Sequence, residues 1–596
     1  MSAATPNFAD ISKALQEADL TGLPVLRLGI LRNIMLEPLA TYLRHEALTL
    51  GFNAEIRMGE YDNVFQEALG GEQTAYDGQT DAVLVFLHLE GVSWNLARNF
   101  NALSEEEVRQ EIGRVREHCA AIVQGLRTRT PAMVLWHGFL PPLYPALGVF
   151  DAQTEHGQTQ AVQSLNAAVR SAVRSVPNAY FVDLGLSLTR VGGRRFLDNR
   201  YWHMGRAPYT LEAYEDIARE DMKFLRARLG KAKKCLVLDC DNTLWGGIIG
   251  EDGLAGIKLG ESSPGSAYVE FQQQIVDLRN RGVILALCSK NNDEDVWEVL
   301  EKHPASVLRR SHIAAWRINW NDKPSNIREL ASELNIGLDS MVFVDDSDFE
   351  VNLMRRELPE VEVLHLAKGQ AFHARDMLAA HGWFDTLTIS REDRERGGMY
   401  AAEAERRQLL ASVTDLDAYY RSLEMHLSIT FADAFTIPRV AQQTQKTNQF
   451  NLTTRRYSEA DISSFVSSSD VDVLCVQLSD KFGDSGIVGS CVLRYSGNRA
   501  VIDTFLLSCR ALGRGVEEIF LSYALRLAQK RGAAVAEGEY IATRKNSQVE
   551  LFYAKQGFTE LLSEEASAVR RFALQLDRPI KADPDYYSEI VSKLDT

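Results

Sequence analysis

The run Cys235-Leu-Val-Leu238 stops abruptly on Asp239-Cys240-Asp241, and no other feature restricts the fold of this chain as much. Four apolar residues in a row are too few for a buried helix and match a strand covered on both faces, as in a parallel sheet. Carboxylates directly after such a strand stand at its carboxyl end, where open α/β sheets bind ligands. The pattern recurs. VILALC (283–288) ends on Ser289, MVFV (341–344) ends on Asp345 and Asp346, and Lys323 lies in the loop NWNDKPSNI. Glu350 follows four residues after Asp346.

The flanks divide the chain into three expected domains, 1–228, 229–386 and 387–596. In the first, VLRLGIL (25–31), DAVLVFLHLE (81–90), PAMVLWHGF (131–139) and AYFVDLGL (179–186) read as strands between helices, again a parallel α/β sheet. Ser104 and the acids after it mark the start of a long helix. In the third, a charged connector (388–425) leads to LSITFADA, VDVLCVQLSD, GIVGSCVLRYSG and AVIDTFLLSC. These alternating runs predict an antiparallel sheet, followed by a helix from Gly515 to Lys530. The fold class is α/β throughout.

Acidic side chains outnumber basic ones 81 to 65, and the resulting charge of −16 speaks against nucleic acid or membrane partners, because the average field repels polyanions. A phosphorylated ligand must then be held by a local cluster. No apolar run approaches the roughly 18 residues of a membrane span, and MSAATPNFADISK lacks the blocks of a secretory signal. The seven cysteines form no CxxC pair, so reduced thiols and a cytoplasmic location are expected.

The strand-end residues suit phosphoryl transfer. Carboxylates from two strand ends can hold Mg2+, which prefers hard oxygen ligands. The ion and Lys323 would offset the phosphoryl charge, while Ser289 and the turn opened by Asn242 and Thr243 bond its oxygens. Asp239 is the expected nucleophile, and Asp241 the general acid and then base. A lone DxD is more often a turn or cap; four pieces in order, each at a strand end or in the loop between, outweigh that reading.

The order DxDxT, Ser, Lys, DD resembles the haloacid dehalogenase (HAD) superfamily. KCLVLDCDNTLWGGIIGEDG (234–253), LCSKNN (287–292) and LNIGLDSMVFVDDSDFEVNLMRRELPEV (334–361) resemble its FkbH-like family, found in polyketide and related acyl-carrier pathways. The similarity continues through TQKTNQFNLTTRRY (444–457), FGDSGIVG (482–489) and LLSCRALGRGVEE (506–518). It implies phosphate-binding Asn242, Thr243, Ser289 and Lys323, and a metal on Asp239, Asp241 and Asp346 with Asp345 behind them. It further implies that 1,3-bisphosphoglycerate is dephosphorylated and its glyceryl group delivered as a thioester to the phosphopantetheine arm of an acyl carrier protein, with an enzyme cysteine in between. Cys240 is the first candidate thiol. Against it, alternation along an extended segment points it away from the two aspartates, and their charge raises its pKa; a small buried residue is the competing reading.

Arg510-Ala-Leu-Gly513-Arg-Gly515 fits a strand-to-helix turn whose amides face a pyrophosphate. With Asn546 and Tyr553 in FYAKQGF it resembles a GCN5-related N-acetyltransferase (GNAT) fold, and these five residues are the expected phosphopantetheine contacts. Arg455 and Arg456 are candidates to meet an acidic carrier protein. The first domain is similar in layout to an SGNH-type hydrolase, with Asn33 where that family has its serine and with Asp198 and His203 late in the domain, so a docking module is expected. Two rival functions stay open: a plain HAD phosphatase of a small metabolite whose GNAT-like domain acylates an amine, and a non-catalytic scaffold for carrier proteins.

Overall fold

The computed structural model describes residues 7–389, 406, 409, 415–508, 511–543, 545–561, 569–577 and 579–594. Most of the expected connector therefore lies outside the described residues. The chain forms two compact units, Met1–Arg226 and Ala227–Thr596. The expected domains 229–386 and 387–596 both fall within the second unit. Among the described residues no helix is long and apolar enough to cross a membrane.

The first unit is built on a parallel sheet of order β2-β1-β3-β4-β5, with β1 Val25–Arg32, β2 Asn53–Tyr61, β3 Ala82–Phe86, β4 Met133–His137 and β5 Ala179–Val182. Its longest helix, Glu105–Arg129, opens on a capping box in which Ser104 and Glu107 each bond the other's backbone N–H. Three acids in its first turn face the positive end of the helix dipole.

The second unit opens on a parallel sheet of order β10-β9-β6-β7-β8: β6 Cys235–Leu238, β7 Ile284–Ser289, β8 Ala315–Ile318, β9 Met341–Asp345 and β10 Glu362–His365. Alternation along β6 buries both faces. Leu236 and Leu238 pack with Phe271 and Ile275 of the helix Gly265–Asn280; Cys235 and Val237 pack with Ile327 and Leu330 of the helix Lys323–Glu333.

The remaining strands form a mixed sheet of order β17-β18-β16-β15-β14-β13-β11-β19. They are β11 His426–Phe431, β12 Phe450–Asn451, β13 Val471–Asp480, β14 Gly483–Ser496, β15 Arg499–Leu507, β16 Val535–Ile541, β17 Thr559–Leu561, β18 Val569–Gln575 and β19 Glu589–Ser592. The expected antiparallel pattern fails at two pairs, β15/β16 and β11/β19, which are parallel. For β15/β16 the reason is the crossover helix Val516–Lys530, because parallel neighbours need a long connection. These two strands pair only over Arg499–Ile502 and Val535–Gly538. Beyond that β12 takes up the hydrogen bonds of β15, and Leu452 bridges the two strands, donating to Phe505 O (3.2 Å) and accepting from Ile541 N–H (2.9 Å).

One buried side chain ties the turn after β6 to the rest of its layer. Gln272 donates to Leu244 O (2.8 Å) and accepts from the N–H groups of Val307 (2.8 Å) and Leu308 (3.0 Å). Gln272→Leu strands these backbone groups out of reach of water, and an unmade buried bond is more expensive than a made one is favourable. We expect a stability loss of about 2–4 kcal/mol by urea unfolding; a loss below ~0.5 kcal/mol would show that the three bonds contribute nothing net.

Candidate active site

Three neighbouring strands, β9, β6 and β7, deliver their polar residues to one edge. Asp239 follows β6 directly and its N–H bonds Val344 O (3.0 Å), continuing the strand pairing; Asp345 ends β9 and Ser289 ends β7. Lys323 begins its helix, capped by the Asp322 carboxylate on Ser325 N–H (2.9 Å). From there its ammonium donates to Asp239 Oδ1 (2.8 Å) and Asp345 Oδ2 (2.6 Å), with all three side chains buried.

Asp239, Asp345 and Asp346 offer carboxylate oxygens within 4.8 Å of one another. Three carboxylates against one ammonium leave excess negative charge out of water. Burial, then the charge of Asp239, push Asp345 up to about 7 and Asp346 up to about 6, with Lys323 opposing both. Burial lowers the affinity of Lys323 for its proton, but the two carboxylates outweigh it and raise its pKa. An all-oxygen, anionic donor set fits a hard divalent cation such as Mg2+. Two further buried oxygens at this edge, Thr243 Oγ1 and Glu350 Oε2, have no hydrogen-bond partner among the described residues.

This set corrects the expected one. Asp241 is not among the three acids: its Oδ1 accepts from the Trp245 indole (2.9 Å) and Ile249 N–H (3.0 Å), and its Oδ2 from Asn291 (3.0 Å). The turn accounts for this. Asn242 takes a left-handed conformation (φ 55°) and accepts from Gly247 N–H (2.9 Å), folding the 245–249 segment over Asp241. Asp345, expected behind the metal, is one of the three neighbouring acids. Burial holds the Asp241 carboxyl above its usual pKa, in spite of those three donors. Asn291, which also donates to Ser289 Oγ (3.1 Å), went unnoticed in the sequence; its signal was its position two residues past the strand-end serine. Lys290, bonded to Glu350 (2.7 Å), was missed for the same reason.

Cys240 does not join the acids. It is fully buried in the apolar cluster with Leu238 and Trp245, and burial, then Asp239, raise its thiol well above the ordinary value. Both weigh against its expected place as acyl-carrying thiol, since the thiolate is the reactive form. The five other described cysteines are buried as well, and Cys509 lies outside the described residues.

Of the expected phosphopantetheine contacts, Asn546 and Tyr553 are buried. Arg510 lies outside the described residues. Gly513 and Gly515 are left-handed (φ 73° and 74°), but Tyr586 closes over Gly515, and Glu517 and Glu518 occupy the first turn of the following helix. Acids there disfavour a pyrophosphate. Asn546 is fully buried and spends its amide on Asn451 O (2.9 Å) and Ile541 O (3.0 Å) and its oxygen on Thr543 N–H (2.8 Å). Tyr553 is core: it packs on Phe552, Phe558 and Phe572 over Gly538. Arg455 bonds Asp503 and Glu539, and Arg456 bonds backbone carbonyls of Thr444 and Thr447, so both serve the fold. In the first unit Asn33 is likewise structural, exchanging bonds with the backbone of His88; Asp198 caps a helix and pairs with Arg200, and His203 is exposed.

No protein-family model matches the chain, and no curated protein does. Among solved structures it is similar to the N-terminal part of the protein BF1531 from Bacteroides fragilis, which contains a phosphatase domain and was crystallised in complex with Mg. The identity is 27% over 64% of this chain and 99% of that one, with a TM-score of 0.56. Two acetyltransferases overlap smaller parts. The ribosomal-protein-S18-alanine N-acetyltransferase from Escherichia coli has 15% identity over 27% of this chain and 99% of that one, TM-score 0.21. The PaiA N-acetyltransferase from Thermoplasma acidophilum, in complex with coenzyme A, has 19% identity over 25% and 98%, TM-score 0.19. At such TM-scores these two overlaps bear on nothing further.

The crowded carboxylates make stability depend on pH. Asp345 and Asp346 have folded-state pKa values above those of an unfolded chain, so they stabilise the metal-free protein below about pH 4, and that stabilisation is lost as pH rises through about 6 to 7. Lys323→Met removes the opposing charge. In EDTA it should destabilise the protein by about 3–5 kcal/mol at pH 8, and by much less at pH 5, where the acids take up protons. Equal losses at both pH values, measured by urea unfolding, would rule out charge crowding as the cause.

Proposed function

We propose that this chain is a Mg2+-dependent enzyme that removes phosphate from a small phosphorylated acyl compound. The observation that carries this reading is the buried cluster in which Lys323 joins Asp239 to Asp345 beside Asp346. Its likeness to a phosphatase domain complexed with Mg supports it. Asp239, Asp345 and Asp346 would hold the ion, which when bound supplies positive charge to offset the phosphoryl oxygens. Asp239 attacks phosphorus and forms an aspartyl phosphate as the bond to the substrate oxygen breaks. Asp241, whose raised pKa suits a proton donor, protonates that leaving oxygen and then takes a proton from the water that cleaves the aspartyl phosphate. Lys323 stays charged throughout and holds Asp239 in position, while Asn291 fixes both Asp241 and Ser289.

The substrate we favour is 1,3-bisphosphoglycerate, with an acyl carrier protein as the acceptor of the glyceryl group. The resemblance of 234–361 and 444–518 to the FkbH-like family supports this. The 3-phosphate ester is the bond cut at Asp239. At the acyl phosphate, a thiolate forms the C–S bond, and phosphate departs with the electrons of the C–O bond. Burial of the six described cysteines favours the carrier's own phosphopantetheine thiol as that nucleophile. The same burial would suit a plain phosphatase, the second reading.

Incubation with 1,3-bisphosphoglycerate and a holo carrier protein, followed by mass spectrometry, separates the two. A glyceryl mass on the carrier supports transfer; free phosphate with an unmodified carrier leaves a phosphatase. Asp239→Asn should lower phosphate release by about 10³-fold or more. Cys509→Ser should leave glyceryl transfer intact, whereas its loss would move the acyl group onto that thiol.

A further inference from the structure

A carboxylate offers two lone-pair positions on each oxygen, and around Asp241 three of the four are taken. Oδ1 accepts two bonds, from the Trp245 indole (2.9 Å) and from Ile249 N–H (3.0 Å); Oδ2 accepts one, from Asn291 (3.0 Å). Trp245 and Asn291 are buried, whereas Asp241 keeps part of its surface. Both donors to Oδ1 belong to the segment that the Asn242 turn folds back, and that segment is pinned. Gly246 and Lys258 exchange backbone bonds (3.0 and 2.7 Å), and Trp245 and Ile249 pack in one apolar cluster with Ile257. Neither donor is free to turn away.

This pattern distinguishes the two oxygens. A proton on Oδ1 would meet an N–H group at either lone pair, donor against donor. On Oδ2 it takes the one unclaimed position. The same Asn291 amide nitrogen reaches Ser289 Oγ (3.1 Å), which sets Oδ2 on the side of the strand-end serine. Resting on the reaction proposed at Asp239, we infer that Asp241 gives and takes its proton through Oδ2, and that Trp245 is a positioning residue that keeps Oδ1 occupied. As Asp239 bonds phosphorus, the leaving oxygen departs with the electrons of its P–O bond and takes the proton from Oδ2. The bonds to Oδ1 and the bond from Asn291 persist through this step. In the second half, water attacks phosphorus and gives its proton to Oδ2, while the Asp239 oxygen departs with the electrons of its own P–O bond. A fixed proton donor matters in proportion to the basicity of the leaving oxygen, so the arrangement suits phosphate esters of poor leaving groups.

Trp245→Phe removes the indole N–H and keeps an aromatic ring. Phenyl phosphate and 4-nitrophenyl phosphate are matched probes, because nitrophenolate leaves with little need of a proton. In the full-length protein with Mg2+, the ratio of kcat/KM for the nitrophenyl over the phenyl ester should rise about fivefold or more on Trp245→Phe. A general loss of packing lowers both rates alike and leaves the ratio where it was. In the Asp241→Asn background the same substitution should change the ratio by less than about twofold, since it acts through Asp241. If Trp245→Phe fails to fold, Asn291→Leu frees Oδ2 from its donor and should raise the ratio about threefold. Without metal, in EDTA, the Trp245 indole N–H resonance should move upfield in Asp241→Ala, as a hydrogen bond to a carboxylate is lost. An unmoved resonance, an unchanged ratio in the single variant, or an equal rise in the Asp241→Asn background would overturn the inference alone. Phosphate release that survives Asp239→Asn, or none from the unsubstituted protein, would overturn the reaction beneath it.

Discussion

The carboxylate edge of the second unit is arranged around one buried ammonium. Lys323 stands between Asp239 and Asp345, 2.8 and 2.6 Å from their oxygens, in a place from which water is excluded. Three carboxylates this close repel one another by several kcal/mol at any protein-like dielectric. The fold tolerates them because a helix begins at Lys323 and aims its side chain into them, and because two of the acids hold protons more tightly than usual. One cation offsets part of the charge. The remainder makes the edge receptive to a divalent ion and to the oxyanion it would neutralise.

The geometry follows from a simple property of parallel sheets. All strands of the layer run the same way, so residues that follow them gather at one end and residues that precede them gather at the other. The acids that follow β6 and β9 and the serine that ends β7 stand together at the first end.

In the mixed sheet the same physics gives a different result. β15 and β16 part after four residues, and separated parallel strands leave backbone groups without partners. The chain fills the opening with its own residues 450–455, satisfying those groups through Leu452, Thr453 and Arg455. Residues whose spacing suggested ligand contacts, Asn546 above all, are instead the hydrogen-bonding frame of this inserted segment.

Much of the catalytic edge was legible in the linear order of residues. An apolar run that stops on a charge has few solutions, and DxD, Ser289 and the Asp345–Asp346 pair each fell where a parallel strand would leave them, whereas Lys323, expected in a loop, begins a helix. The alternation argument also placed Cys240 behind the turn, because neighbouring side chains of an extended segment face opposite ways. Which acids converge was not legible. The Asn242 turn and the indole of Trp245, contacts made only after folding, engage Asp241 apart from the other three acids. The turn at Gly513–Gly515 misled for a related reason: spacing reports backbone shape, whereas the tyrosine and glutamates that cover the turn come partly from seventy residues away. The sequence by itself determined the strands, their shared direction and the residues at their ends, since these depend on local periodicity. Only the tertiary structure decided which of those residues share one ammonium or are sealed in the core, since burial and charge are sums over the whole neighbourhood.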